Sequence, residues 1–163
     1  LRGDGVDKRY MALVRGHWAT AKKQVNAPLQ KSNLRSGERM VEVDGEGKEA
    51  LTLFRVLRRF GDFATLVEAK PVTGRTHQIR VHMSYIHFPL VGDPVYGGRL
   101  RIPPGASPEL IKELREFPRQ ALHARRLELE HPDDGRHMSW QVPLPEDMQH
   151  LLALLREDGE IAE

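Results

Sequence analysis

The chain has 163 residues, 39% of them hydrophobic and 29% charged, with no cysteine and a formal net charge of +2. That length suits one domain with a buried core, and the missing cysteines exclude disulfide scaffolds and thiolate metal centres. No apolar run approaches the ~18 residues that cross a bilayer as a helix, and the composition fits a cytoplasmic protein.

Charge is distributed unevenly. Residues 1–60 carry 13 Lys/Arg against 7 Asp/Glu, residues 61–123 carry 8 against 6, and residues 124–163 carry 4 against 10. The resulting +6, +2 and −6 set a basic front against an acidic tail, which favours an anionic partner such as RNA on one side only.

In chain order, Arg9 to Val14 reads as a strand, and Val25 to Leu29 as a second that ends near Pro28. Lys31 to Glu38 is polar and turn-rich, Met40 to Val43 alternates, and Asp44-Gly45-Glu46-Gly47 is a strong turn. Leu51 to Phe60 and Phe63 to Ala69 form a hairpin about Gly61-Asp62. After a loop at Pro103 to Pro108, a helix opens at Ser107 or Pro108 and runs through Phe117, with Leu110, Ile111 and Leu114 at amphipathic spacing. Leu122 to Glu130 and Met138 to Val142 alternate as strands around a turn at Pro132 to Gly135. Pro145 to Glu157 is a helix with Met148, Leu151, Leu152 and Leu155 on one face, and the acidic end beyond Asp158 is expected to fray. Trp18 and Trp140 are expected in or at the edge of the core. The sum is an α+β fold, a mixed and mainly antiparallel sheet with flanking helices.

The densest chemistry lies in Pro71 to His82, where Arg75, His77, Arg80 and His82 fall within eight residues. With Thr76 as cap, a helix at ~100° per residue puts Ile79, Met83 and Ile86 on one narrow face, and His77, Arg80 and Ser84 on a polar arc beside it. Arg80 then sits at the core edge, a permanently charged planar fork for a carboxylate. A strand alternating His77, Ile79 and Val81 fits the same periodicity. His77, His82 and His87 recur every five residues, which spreads them around a helix, so no metal site is expected. Gly92-Asp93-Pro94 and Gly97-Gly98 read as turns, with Asp93 a turn cap ahead of a second acid. Arg2-Gly3-Asp4 reads as a turn. Lys22-Lys23, Arg58-Arg59 and Arg99 with Arg101 read as solvated surface, each a candidate phosphate contact.

Four stretches, in this order and spacing, resemble the catalytic domain of RluA-type pseudouridine synthases: Lys8 to Val14, Gly74 to His82, Pro89 to Gly97 and Leu122-His123-Ala124. The resemblance covers nearly the whole chain. It implies a pseudouridine synthase catalytic-domain fold, partial over residues 1–163, acting without metal or cofactor on uridines of large-subunit ribosomal RNA. It implies that Arg80 pairs with the family's catalytic aspartate, that Tyr10 stacks on the target base, and that Ile79 packs beneath it. Arg75, His77, Lys8 and Arg9 would contact RNA around a flipped uridine. The family's aspartate lies in an Arg-Leu-Asp motif N-terminal to the stretch matching Tyr10, and this sequence has no such motif. Arg126-Leu127-Glu128 falls where the family has framework, and Asp4 and Asp7 have turn contexts. The chain is therefore expected to be the C-terminal part of a synthase, inactive alone. Its missing partner would be an N-terminal part with the catalytic loop and an RNA-binding module. The stretch before Pro71 resembles one subgroup and Ile86 to Arg119 another, so resemblance assigns no target uridine. The competing readings are a catalytically silent RNA-binding module and a metal-dependent hydrolase built on the histidines.

Overall fold

The computed structural model describes residues 7–33, 39–130 and 134–162. Its strands are β1 (Asp7–Arg15), β2 (Lys22–Asn26), β3 (Leu29–Asn33), β4 (Arg39–Val43), β5 (Leu51–Phe60), β6 (Ala64–Pro71), β7 (Leu122–Glu130) and β8 (His137–Gln141). Its helices are α1 (Gln78–Tyr85), α2 (Pro108–Glu116) and α3 (Glu146–Ala162). Six strands form one sheet in the order β2-β5-β6-β1-β7-β8, and β3 pairs with β4 in a separate ribbon. The strand pairs are antiparallel.

Period-2 alternation sorts the sheet's two faces. On β1, Met11 and Leu13 join the core beneath α2 and α3, which also contains Leu66, Leu110, Leu114, Met148, Leu151 and Leu155. Their neighbours Tyr10, Ala12 and Val14 turn to the other face, where Ile79 and Met83 of α1 pack with Trp18, Phe54 and Val67. With both faces covered at its centre, the sheet buries β6 continuously from Ala64 to Ala69. α2 begins as its sequence dictates: Ser107 Oγ accepts the Leu110 N–H at 3.2 Å and Pro108 occupies the first turn, where no N–H is missed.

Several expectations need correction. The strand read from Val25 to Leu29 is two strands, because Pro28 has no N–H to donate and the chain leaves the large sheet there. Lys31 to Asn33, read as turn, continues β3. Asp7 lies in β1 instead of a turn. Trp140 is 45% exposed, because β8 is an edge strand with little to cover it. α3 runs on through Ala162, beyond the helix end read at Glu157. Arg2-Gly3-Asp4 and the polar residues 34–38 lie outside the described residues, as do Pro132 and Asp133 of the β7–β8 turn. Among the described residues, no helix is long and apolar enough to cross a membrane.

Candidate active site

An open cleft of about 450 Å³ lies where the N-terminal end of α1 meets β1, lined by Lys8, Tyr10, Arg75, His77, Ile79 and Arg80 among others. Six of the seven residues singled out in the sequence thus meet around one space. Tyr10 sits between Ala69 on β6 and Ala124 on β7, so small neighbours flank its ring across the sheet. Ile79, 6% exposed, joins it from the helix.

Arg9 is the exception. Adjacent residues of a strand face opposite ways, so Arg9 points to the far side of the sheet from Tyr10. There its Nη1 donates to Glu68 Oε1 at 2.9 Å and its Nε to Asp7 Oδ1 at 2.9 Å. It does not line the cleft.

The block from Thr73 to His82 is helical from Gln78 onward, which settles the helix against the strand reading. Thr76 is not its cap. That position falls to His77, in the left-handed region at φ 54°, with no side-chain cap bond. Such a backbone is uncommon for a residue with a Cβ, and the surrounding bonds hold it. Gln78, buried, is the staple: its Oε1 accepts from Thr73 Oγ1 (2.7 Å) and the Arg75 N–H (3.1 Å). Its Nε2 donates to Leu51 O (2.9 Å) and Thr52 Oγ1 (2.8 Å), which fastens the loop to β5. The buried face of α1 is also wider than the Ile79–Met83–Ile86 stripe. Val81 and His82 are buried too, Val81 against Leu29 and Val41 of the β3–β4 ribbon and His82 against Ala27 and Thr52.

His82 is fully buried, with Nε2 2.9 Å from Ala27 O and Nδ1 2.9 Å from Thr52 Oγ1. A carbonyl only accepts, so Nε2 carries the proton; Thr52, accepting from Gln78, donates its hydroxyl to Nδ1. Burial holds the His82 pKa below its ordinary value. His77 Nδ1 lies 2.8 Å from Tyr96 Oη, a hydroxyl that accepts the Val41 N–H and can donate its own proton to that nitrogen. Burial, then the charge of Arg80, push the His77 pKa down.

Arg80 is fixed by a partner 13 positions along the chain. Its Nε and Nη2 donate to the two carboxylate oxygens of Asp93, both at 2.9 Å, and its guanidinium lies 5.0 Å from the centre of the Tyr96 ring. Asp93 Oδ1 also accepts the N–H groups of Val95 and Tyr96, so Asp93 is the expected turn cap and an ion-pair partner as well. Burial raises the Asp93 pKa, but the Arg80 bonds and the two N–H groups outweigh it and leave the carboxyl below the usual range. The Asp93 bond in turn raises the Arg80 pKa. Gly97 closes the turn; a Cβ there would lie 2.3 Å from Asp93 O.

Sequence reasoning missed Gln78 and Tyr96 as organisers of the cleft, and it missed the Arg80–Asp93 pair. The available signal was an Asp framed by Gly92 and Gly97, a turn whose acid has oxygens to spare. The histidines do not gather: among the described residues, no three His, Asp or Glu side chains come together as metal ligands.

The family profile described as RNA pseudouridylate synthase matches residues 1–85. The chain belongs to that family. Ribosomal large subunit pseudouridine synthase D of Pseudomonas aeruginosa is 53% identical to this synthase-family chain over 160 residues, covering 98% of the chain and 49% of that protein. The Escherichia coli K12 protein of the same name is 44% identical over 155 residues, covering 95% and 46%. The chain thus spans about half the length of the curated relatives it matches. Two solved human structures share its architecture. RNA pseudouridylate synthase domain containing 4 matches at TM-score 0.68 and 27% identity, covering 93% of this chain and 62% of that one. Domain containing 1 matches at TM-score 0.65 and 28% identity, covering 94% and 66%.

Proposed function

We propose that this chain forms part of an RNA pseudouridine synthase that isomerises uridine to pseudouridine in large-subunit ribosomal RNA. The observation that carries the reading is the single cleft shared by Tyr10, Ile79, Arg80, His77, Arg75 and Lys8. A flipped uracil is flat and partly apolar, and Tyr10 with Ile79 offers it a flat aromatic face and an apolar floor. Lys8 and Arg75 supply positive charge at the cleft for the phosphates of the flipped nucleotide. Arg75 is steadied by donating Nε to Glu49 O at 2.8 Å. His77, held neutral, can donate through Nε2 to a carbonyl of the base.

Isomerisation breaks the bond from C1′ to N1 of the base and forms one from C1′ to C5. The proton on C5 leaves and N1 gains one, so atoms and electrons balance without an added reagent. The family resemblance assigns the nucleophilic push to an aspartate. Among the described residues lining the cleft there is no carboxylate. Asp93 is withdrawn behind Arg80, its side chain 0% exposed. The aspartate would therefore come from beyond the described lining of the cleft and meet the guanidinium edge of Arg80 that Asp93 leaves uncovered. Such an enzyme would work in the cytoplasm, where ribosomal RNA is made available to it, and the reading calls on no cofactor. The same absence favours a second reading of the isolated chain, as a module that binds RNA without turnover.

Photocrosslinking tests the site. Ribosomal RNA carrying 4-thiouridine should crosslink to Tyr10 or Ile79, and crosslinks confined to other surfaces would defeat the assignment.

A further inference from the structure

The sheet face opposite the cleft carries a second cationic feature. Glu68, its side chain 9% exposed, is met by three guanidiniums: Arg9 Nη1 at 2.9 Å, Arg55 Nη2 at 3.3 Å and Arg125 Nη1 at 3.3 Å. The arginines come from β1, β5 and β7, flanking β6 on both sides. Arg125 reaches this face by period-2 alternation from His123, which stands opposite Met11. A bulge follows it: the register passes from Tyr10 opposite Ala124 to Arg9 opposite Arg126, so Arg125 and Arg126 both stand against Arg9. The result is a third arginine on a carboxylate that one would satisfy.

Lys70 approaches Asp7 at 3.6 Å on the same face, and the register places exposed Lys22 beside Arg55. Five cations, Lys22, Arg55, Lys70, Arg9 and Arg125, thus stand against two carboxylates, Glu68 and Asp7, an excess of three. The neighbouring Arg126 and Glu128 pair with each other and add nothing. Among the described residues, Arg55 and Arg125 each give one guanidinium nitrogen to Glu68 and are about half exposed, at 55% and 43%. A guanidinium has five N–H donors, so most of theirs face solvent. The row from β2 to β7 crosses four strand-to-strand steps, about 19 Å at ~4.8 Å each. That length suits a run of phosphates better than one small anion.

We infer that this arginine row is a second RNA-contact surface, binding backbone phosphates on the face of the sheet opposite the uridine cleft. It rests on the reading of the chain as part of an RNA-acting enzyme. It also gives Arg9 a role in RNA contact on the face where the structure puts it. Contacts of this kind carry no base sequence and act through counterion release.

The test measures binding of an unmodified ribosomal RNA fragment, and of an unrelated RNA of equal length, as a function of salt. The R55A/R125A variant should lower the slope of log K on log salt by about 1.5 and weaken both RNAs alike. Folding is checked by thermal melting. If the double variant is unfolded, half-exposed Arg55→Gln is read alone, with a slope change of about 0.7 expected. An unchanged slope in a folded variant, with wild-type binding intact, overturns this inference and leaves the cleft assignment standing. Wild-type protein that binds neither RNA overturns both.

Discussion

Replacing Asp93 by Asn tests the pair on which the cleft is built. The Arg80 side chain is 11% exposed and that of Asp93 0%, and Asp93 Oδ2 accepts from Arg80 Nε at 2.9 Å. Asn keeps one acceptor oxygen, which the Val95 and Tyr96 N–H groups need. Its amide then faces a guanidinium donor, and the largely buried cation has no counter-charge. Breaking such a pair from one side costs about 3–5 kcal/mol. Removing both charges is milder, because no uncompensated ion remains. The assay is urea unfolding of wild type, D93N, R80M and R80M/D93N. The double variant should be more stable than the two single losses sum to, by more than about 1 kcal/mol. A D93N loss under about 1 kcal/mol, or an additive cycle, would refute the argument.

Two pH dependences follow from the same shifts. The folded-state pKa of Asp93 is lowered, so its stabilisation is present above the unfolded value of about 3.9 and is lost as pH falls through the folded value. D93N should flatten that acid limb, and an acid limb matching wild type would contradict the assignment. His82 is also lowered. It is neutral and fully accommodated above about 6.5, and stability should decline as pH drops below that, because the unfolded chain binds the proton more readily. His77 shifts in the same direction, so His82→Gln should reduce the decline between pH 7 and 5.5 and not abolish it. An identical slope would exclude His82 as a contributor.

Local features carried most of the fold into the sequence. The hairpin of β5 and β6 turns on Gly61 at φ 55°, and α2 carries its own cap and its own apolar stripe. Such elements are decided within a few residues. The failures came where the deciding contact was distant. Nothing near Trp140 announces that β8 is the sheet edge, and nothing near Leu29 announces that the chain beyond Pro28 takes a new partner in Val43 of β4. Arg80 stands at the core edge gripping a carboxylate, Asp93, whose pairing the sequence did not announce because it lies on another loop. Arg9 was a different kind of miss. In a strand, Arg9 and Tyr10 cannot share a face, so period-2 alternation alone separates them.

The central claim is that this chain holds the binding half of a uridine-isomerising site and not its nucleophile. Release of tritium from [5-³H]uridine-labelled, unmodified large-subunit ribosomal RNA reports the exchange at C5 directly. The isolated 163-residue chain should bind this RNA and release no tritium above background, whereas steady release by the chain alone would contradict the account.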